Sequence, residues 1–256
     1  MKKHFPFEIL LLLLILPMIS ITYLVVQIPA VEREQYSNLE SIVLLKAEQI
    51  ENWLKERHSD GEAIKGSLNL ALRIEKFLQQ PDDPVQLNIL SNQLDLIRSA
   101  YQYESVLLVD TQGKLLLGKG RHLDISSVVK SLLPQAMAHK QIVSSDLYRE
   151  ENGHIHMDWV VPVLVRAEPD GQVIAFMVLR VDPSRFLYKM IQTWPTRSAS
   201  AETLLVRKEG DSVLYLNALR HLKDKALDLK LPLSSPSLPA AVALQTDQPT
   251  VQMSWH

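Results

Sequence analysis

The sequence contains no cysteine. Disulfide frameworks, thiolate zinc sites, iron–sulfur clusters and cysteine nucleophiles are therefore excluded, while an oxidising compartment remains open to the chain. Glycine is scarce, 8 in 256 residues, and neither GxGxxG nor GxxxxGK[ST] occurs, so nucleotide phosphates have no glycine-rich cradle. A surplus of either charge is also missing, because 27 Lys plus Arg against 29 Asp plus Glu leave a net −2. Affinity for nucleic acid is largely electrostatic, so no nucleic-acid partner is expected. There is no GxSxG nucleophile motif, and Gly66-Ser67 falls inside a helical stretch without the partner glycine. The chain is not expected to be an enzyme, and no catalytic residue, metal or cofactor is assigned.

Hydrophobic residues make up 46% of the sequence, and their longest run lies at the start. Residues 9–31 carry no charge, and at 1.5 Å rise per residue about 20 residues span the roughly 30 Å hydrocarbon layer. Lys2, Lys3 and His4 precede the run, whereas Glu32 and Glu34 follow it with only Arg33 between, so the positive-inside bias puts the N-terminus in the cytoplasm. A cleaved signal peptide shares the basic start but has a shorter apolar region and small residues before its cleavage site. Ile28-Pro29-Ala30 fits that pattern poorly. The expected organisation is a cytoplasmic N-terminus over 1–8, a transmembrane helix over 9–31 in contact with the lipid bilayer, and an extracytoplasmic remainder. The location is then the inner membrane, crossed once.

Beyond the run, Leu39, Val43, Ala47, Ile50 and Leu54 repeat at three and four, which predicts one long helix from Arg33 to about His58 with Lys46 on a solvated face. Its apolar stripe could serve a homodimer or be covered by the chain's own sheet. Asp60-Gly61 should weaken or bend the helix, and a second helix through Leu68, Leu72 and Phe77 stops at the Gln79 to Pro84 segment. A third runs over 85–100, with Leu87, Leu90, Leu94 and Ile97 on one side.

From Tyr101 the pattern turns to strands. Residues 105–109 and 114–118 flank Asp110-Thr111-Gln112-Gly113 and read as a hairpin. A helix over 128–139, capped by Asp124, follows, then strands over 141–148, 155–165 and 173–181, the last two joined by a turn at Asp170-Gly171. The third of these is nearly all apolar and so central. Two strands, a helix and three strands outline a PAS-like antiparallel module. From Pro183 the order restarts with a helix to about Gln192 and strands near 202–207 and 212–216, and this second module is left incomplete at His256. The fold class is α+β, with the helical stalk and first module over 32–182 and the partial second module over 183–256.

Three strings carry a resemblance: Lys46-Ala47-Glu48-Gln49-Ile50 with Trp53 and Leu54, Leu108-Val109-Asp110 with Gly113, and Trp194-Pro195-Thr196 with Ser198 and Ser200 to Arg207, followed by Leu216-Asn217 and Leu219-Arg220-His221. With the anchor and two successive modules, the chain resembles the extracytoplasmic double Cache sensors of bacterial histidine kinases, diguanylate cyclases and chemoreceptors. The resemblance implies a sensing region that binds a small molecule in the membrane-distal module. It also implies a second membrane crossing and a kinase or cyclase output domain, neither of which this sequence contains. An anchored interaction protein without sensing, or a truncated remnant, is the alternative.

In such sensors, members that bind amino acids carry an arginine followed closely by aromatics near the inserted helix, and an aspartate ending the last strand. Arg121 and Asp182 stand in comparable places, but Arg121-His122-Leu123-Asp124 lacks the aromatics, so an amino-acid ligand is not implied. Asp182 before Pro183 also suits a helix cap. Tyr148 and Arg149, at a strand end, offer a hydroxyl and a guanidinium to a carboxylate, or are turn residues. Ligand-binding candidates are thus Arg121, Tyr148, Arg149 and Asp182, with Tyr101 and Tyr103 in the pocket or at its rim. His154, His156 and Asp158 share one side of a strand, as metal ligands would, but a solvated outer face accounts for them equally. Trp159 and Trp194 are expected in the core.

Overall fold

The computed structural model describes residues 7–165, 171–195, 201–220, 222 and 225–246. Lys2 to His4, Asp170, Thr196 to Ser200 and His221, all used above, lie outside them.

The anchor and the stalk form one helix, α1 (Phe7–Gly66), continuous through Pro17 and Pro29. Its first part is long and apolar enough to cross a membrane, and none of that stretch is buried against the protein. Asp60-Gly61 does not break it. Gly61 lets the helix approach the sheet closely: a Cβ there would come 2.8 Å from Ile142 Cδ1 and 3.3 Å from Val161 Cγ2. Close packing, rather than chain reversal, is the use of this glycine.

Helices α2 (Leu68–Gln79) and α3 (Pro84–Ala100) follow where expected. Ser67 caps the first by accepting from Leu70 N, and Asp83 caps the second by accepting from Val85 N with Pro84 in the first turn. The buried face of α2 is Leu70, Ala71, Ile74 and Phe77, while Leu68 and Leu72 are half exposed.

The first sheet is antiparallel. Strands β1 (Ser105–Val109), β2 (Leu115–Gly120), β3 (Val143–Ser144), β5 (Ile155–Val165) and β6 (Gln172–Val181) run in the order β2-β1-β6-β5-β3, and β4 (Tyr148–Arg149) also pairs with β5. The single strand expected over 141–148 is therefore two short ones. Helix α4 (Ser127–His139) is inserted after β2 and capped by Ser126, whose Oγ accepts from Val129 N at 3.1 Å. The expected cap, Asp124, lies outside the helix and gives its carbonyl to another partner.

Side chains alternate between the two faces of the central strands. One face, with Val106, Leu108, Trp159, Val161, Met177 and Leu179, packs against α1, α2 and α3. The other, with Leu107, Val109, Val160, Phe176 and Val178, packs against Val129, Leu133 and Ala136 of α4. Trp159 is 2% exposed, as a core residue should be, while Trp194 is only partly buried.

Asp182 does not cap the next helix. Its Oδ1 accepts from Ser184 N at 2.8 Å, and α5 (Leu187–Gln192) begins later. Lys46 is buried rather than solvated: its Nζ donates to Met190 O at 3.0 Å and Thr193 O at 2.7 Å, clamping the end of α5 to α1. Burial lowers its pKa. Ile50, Trp53 and Leu54 pack on the same side, against the first module, whereas Leu39 and Val43 remain exposed.

A small second sheet, β7 (Val206–Glu209), β8 (Ser212–Tyr215) and β9 (Lys230–Pro232), closes over α6 (Pro239–Ala243) around Val213, Tyr215 and Ala241. Neither β9 nor α6 was expected. Asn217 organises the chain leading into β7, its Oδ1 accepting from Leu205 N at 2.6 Å and its Nδ2 donating to Thr203 O at 3.1 Å.

Candidate functional site

The α4 face of the sheet is apolar only part of the way along. Where β5 and β6 continue past the end of α4, the inward positions become His156, Asp158 and Arg180. Asp158 and Arg180 are direct cross-strand partners, and both are 0% exposed. Arg180 Nε donates to Asp158 Oδ1 at 3.0 Å and Nη2 to Oδ2 at 3.2 Å, a bidentate pair. Its Nη1 donates to the carbonyls of His122, at 2.5 Å, and Asp124, at 3.1 Å. The loop between β2 and α4 is thereby fastened over the sheet.

Tyr148 completes this floor. Its hydroxyl donates to Asp158 Oδ2 and accepts from Ser126 Oγ at 3.0 Å. Burial raises the Tyr148 pKa, and the Asp158 carboxylate adds to the effect, so the phenol stays neutral. Burial alone would lower the Arg180 pKa, but Asp158, Tyr148 and Glu150 outweigh it and hold the guanidinium charged. Above the floor opens a cavity of about 570 Å³ between the start of α4 and β4, lined by Asp124, Ser126, Ser127, Arg149, Glu150 and Glu151 among others. Three carboxylates and several hydroxyls against one guanidinium suit a ligand rich in hydrogen-bond donors or carrying an ammonium group.

Beside the floor sits a second charged group. His156, 1% exposed, lies with Nδ1 3.2 Å from Glu104 Oε2 and Nε2 3.5 Å from Glu150 Oε2, and Arg180 Nη2 lies 3.2 Å from Glu150 Oε1. The rings of His122 and His154 lie 3.8 Å apart, tilted by 39°, and His122 Nε2 is 3.8 Å from Glu104 Oε1. His156 and Asp158 are therefore internal, against the expectation of a solvated outer face, and only His154 is exposed. Among the described residues, no three His, Asp or Glu side chains are grouped as metal ligands.

Glu104 gives a pH prediction. Burial would raise its pKa, but His156, His122 and Arg185 outweigh it and leave the carboxyl below its ordinary value. A depressed carboxylate contributes stability above its unfolded pKa of about 4.3 and loses it as pH falls through the folded value. Glu104→Gln should therefore cost about 1–2 kcal/mol at pH 7, and the gap between the two melting curves should close between pH 5 and pH 3. A gap that stays constant down to pH 3 would show that the ionised form of Glu104 contributes nothing.

Of the four sequence candidates, Tyr148 and Arg149 border the cavity. Arg149 donates Nη1 to Gly153 O of its own turn at 2.6 Å and reaches the second module with Nη2, which donates to Ala226 O and lies 3.3 Å from Asp228. Arg121 and Asp182 are not brought to it. The side chain of Arg121 is exposed and its carbonyl accepts from Ser105 Oγ, while Asp182 sits at the turn into α5, 3.6 Å from Arg185. Tyr103 is fully buried and donates to Asp60 Oδ2 at 3.1 Å, and Tyr101 is partly buried at the other face of the sheet. The residues that sequence reasoning passed over are Arg180, Ser126 and Glu150, and Asp158 enters it only as a metal ligand or an outer-face residue.

No protein-family model matches the sequence, and no curated protein matches it. Solved sensor and ligand-binding domains of histidine kinases and chemoreceptors align with this chain, at low sequence identity and with TM-scores below 0.5. The sensor domain of the V. cholerae histidine kinase DctB aligns with a TM-score of 0.48 and 17% identity, over 62% of this chain and 61% of that one. The ligand-binding domain of the Campylobacter jejuni chemoreceptor Tlp3, in complex with L-norvaline, gives 0.47 and 15% over 62% of each chain. The same domain with 4-methylisoleucine gives 0.47 and 12% over 69% of this chain and 82% of that one. The chain thus spans less than two thirds of the length of the first two.

Proposed function

We propose that this chain is the signal-sensing part of a bacterial membrane receptor, anchored by the first part of α1 with its N-terminus in the cytoplasm and its two modules outside. The small-molecule site is the cavity between α4 and β4, and the ligand is a small polar metabolite bearing an ammonium or several hydroxyl groups. The observation that supports this most is that two cavity-lining residues, Ser126 and Tyr148, are hydrogen-bonded to each other and through Tyr148 to the fully buried Arg180–Asp158 pair behind them, which also holds the covering loop. A ligand reaching Ser126, Tyr148 or Glu150 competes for groups that fix that loop. It therefore binds one loop arrangement better than another, which is what shifting a population requires. Lys46 and the packed Ile50, Trp53 and Leu54 then link the module to α1, so a change in the module reaches the anchor as a tilt or slide.

A melting-temperature screen of amines and polyols on the full chain in detergent tests the site. A ligand at 100 times its Kd adds about 2.7 kcal/mol of stability, and Ser127→Trp, which fills the cavity mouth, should abolish the shift. If no compound raises the melting temperature, or the Trp variant responds as the parent does, the site is wrong. A periplasm-dependent reporter fused after residue 246 should be active, and activity of a cytoplasmic reporter there instead would overturn the topology.

The upper part of the α1 stripe, Leu39 and Val43, is where a second copy would pack, the lower part being taken by the chain's own module. Because the parent has no cysteine, single substitutions read cleanly. Val43→Cys should form a disulfide-linked dimer in membranes and Glu48→Cys should not; equal yields would count against a specific interface.

A further inference from the structure

A second cavity, of about 640 Å³, opens on the helical side of the first sheet, away from α4. Three elements wall it: α1 at Trp53 to Arg57, the turn that leads from α3 into β1, and the end of β6 with the turn toward α5. Its chemistry is the reverse of the α4 cavity, with three arginines against two carboxylates, Glu56 and Asp182.

Arg57 lies deepest. Its Nη1 donates to Tyr101 O at 2.7 Å and lies 3.2 Å from Asp60, its Nη2 lies 3.2 Å from Glu56, and its guanidinium sits 5.3 Å from the Tyr103 ring centroid. Its Nε is buried and donates to nothing. Arg98 and Arg185 stand at the rim, their side chains 29% and 47% exposed. Each pairs with a partly exposed carboxylate, Asp95 at 2.8 Å and Asp182 at 3.6 Å, and Arg98 also donates to Ser99 Oγ at 3.3 Å. An incoming anion can replace such exposed pairs at little cost. Aromatic rings form another part of the wall: Phe186, half exposed, stacks on the buried Trp53 at 6.2 Å and 19°.

We infer that this cleft is a second ligand site, for a small organic anion with an aromatic or apolar body. The rim guanidinium forks match a planar carboxylate bidentately. The exposed edge of the Trp53–Phe186 stack supplies an apolar surface for the body of the ligand. Arg57 and Trp53 belong to α1 itself, so an occupant here touches the anchoring helix directly instead of through the sheet. The inference does not depend on the α4 cavity binding anything.

The test is calorimetric titration of the full chain, in nanodiscs of zwitterionic lipid, with phenylacetate as the probe and acetate and benzyl alcohol as its two halves. Phenylacetate should bind saturably and at least tenfold more tightly than either half. The double variant Arg98→Ala/Arg185→Ala should lose at least tenfold, with the melting temperature confirming its fold. Phe186→Ala should weaken binding even if the double variant does not fold. Ser127→Trp, on the opposite face, should leave the affinity unchanged. The inference is overturned if phenylacetate does not saturate, if it binds no better than benzyl alcohol, if Phe186→Ala and the arginine variant both bind as the parent does, or if Ser127→Trp abolishes binding.

Discussion

Arg180→Leu is expected to destabilise the protein by about 3–5 kcal/mol, which for a chain of this size is a fall in melting temperature on the order of 10 °C. Leucine fills part of the volume and restores none of the charge. Asp158, at 0% exposure, would keep a carboxylate accepting from the Tyr148 hydroxyl but with its cation gone, and Glu150 would lose the cation 3.2 Å from its Oε1. The carbonyls of His122 and Asp124 would lose their donor, and the loop over the cavity with it. An uncompensated buried charge costs far more than a missing pair. The double variant Arg180→Leu/Asp158→Leu should therefore recover a substantial part of the loss. If Arg180→Leu melts within two or three degrees of the parent, or if the double variant is worse than the single by the full effect of Asp158→Leu, the pair is not the keystone of this floor.

That pair also shows where the sequence could be read and where it could not. The helices, the hairpin and the long central strands follow from local periodicity and turn chemistry. Residues 155–165 and the Asp110 turn, in which Asp110 Oδ1 accepts from Gln112 N and Lys114 N, lie where the pattern puts them. Site residues depend on register. Arg180 is the one charge in an apolar strand, and Asp158 one of the two ionisable inward positions on the preceding strand. Only the cross-strand pairing turns two oddities into a bidentate bond. A lone charge near the end of a central strand was the available signal, since burying it unpaired is prohibitive. Arg121 attracted attention because it lies near α4 in sequence, yet its side chain faces out and Arg180 reaches the same loop from behind. Lys46 misled for a similar reason. It lies four residues before Ile50, on the side of the helix that packs, and a lysine there reads as solvated until the end of α5 brings two carbonyls to it. Beyond residue 216 the strands are short and the turns carry much of the hydrogen bonding, which leaves little period to read.

Gly120→Ala is the other substitution with a large expected effect, about 3 kcal/mol or more. Gly120 ends β2 opposite Ser105 with φ +114, a conformation that disfavours any side chain. The space is closed as well. A Cβ would come 2.1 Å from Glu104 O and 2.7 Å from Ser105 Cα, both backbone atoms that cannot rotate away. Relief requires β2 to leave β1 at this end. Such a movement carries Arg121 and His122, and so draws two of the loop's attachments, Ser105 Oγ to Arg121 O and Arg180 to His122 O, out of place. Gly153 supplies the comparison, having φ +88 but nothing within 4 Å of an added Cβ. Gly153→Ala bears the backbone strain alone and should cost about 1 kcal/mol. Thermal unfolding of the two variants side by side separates strain from contact: a wide gap, with Gly120→Ala also losing ligand-dependent stabilisation at the α4 cavity, is the expected result, and equal melting temperatures would mean that the loop is not held by the approach of these two strands.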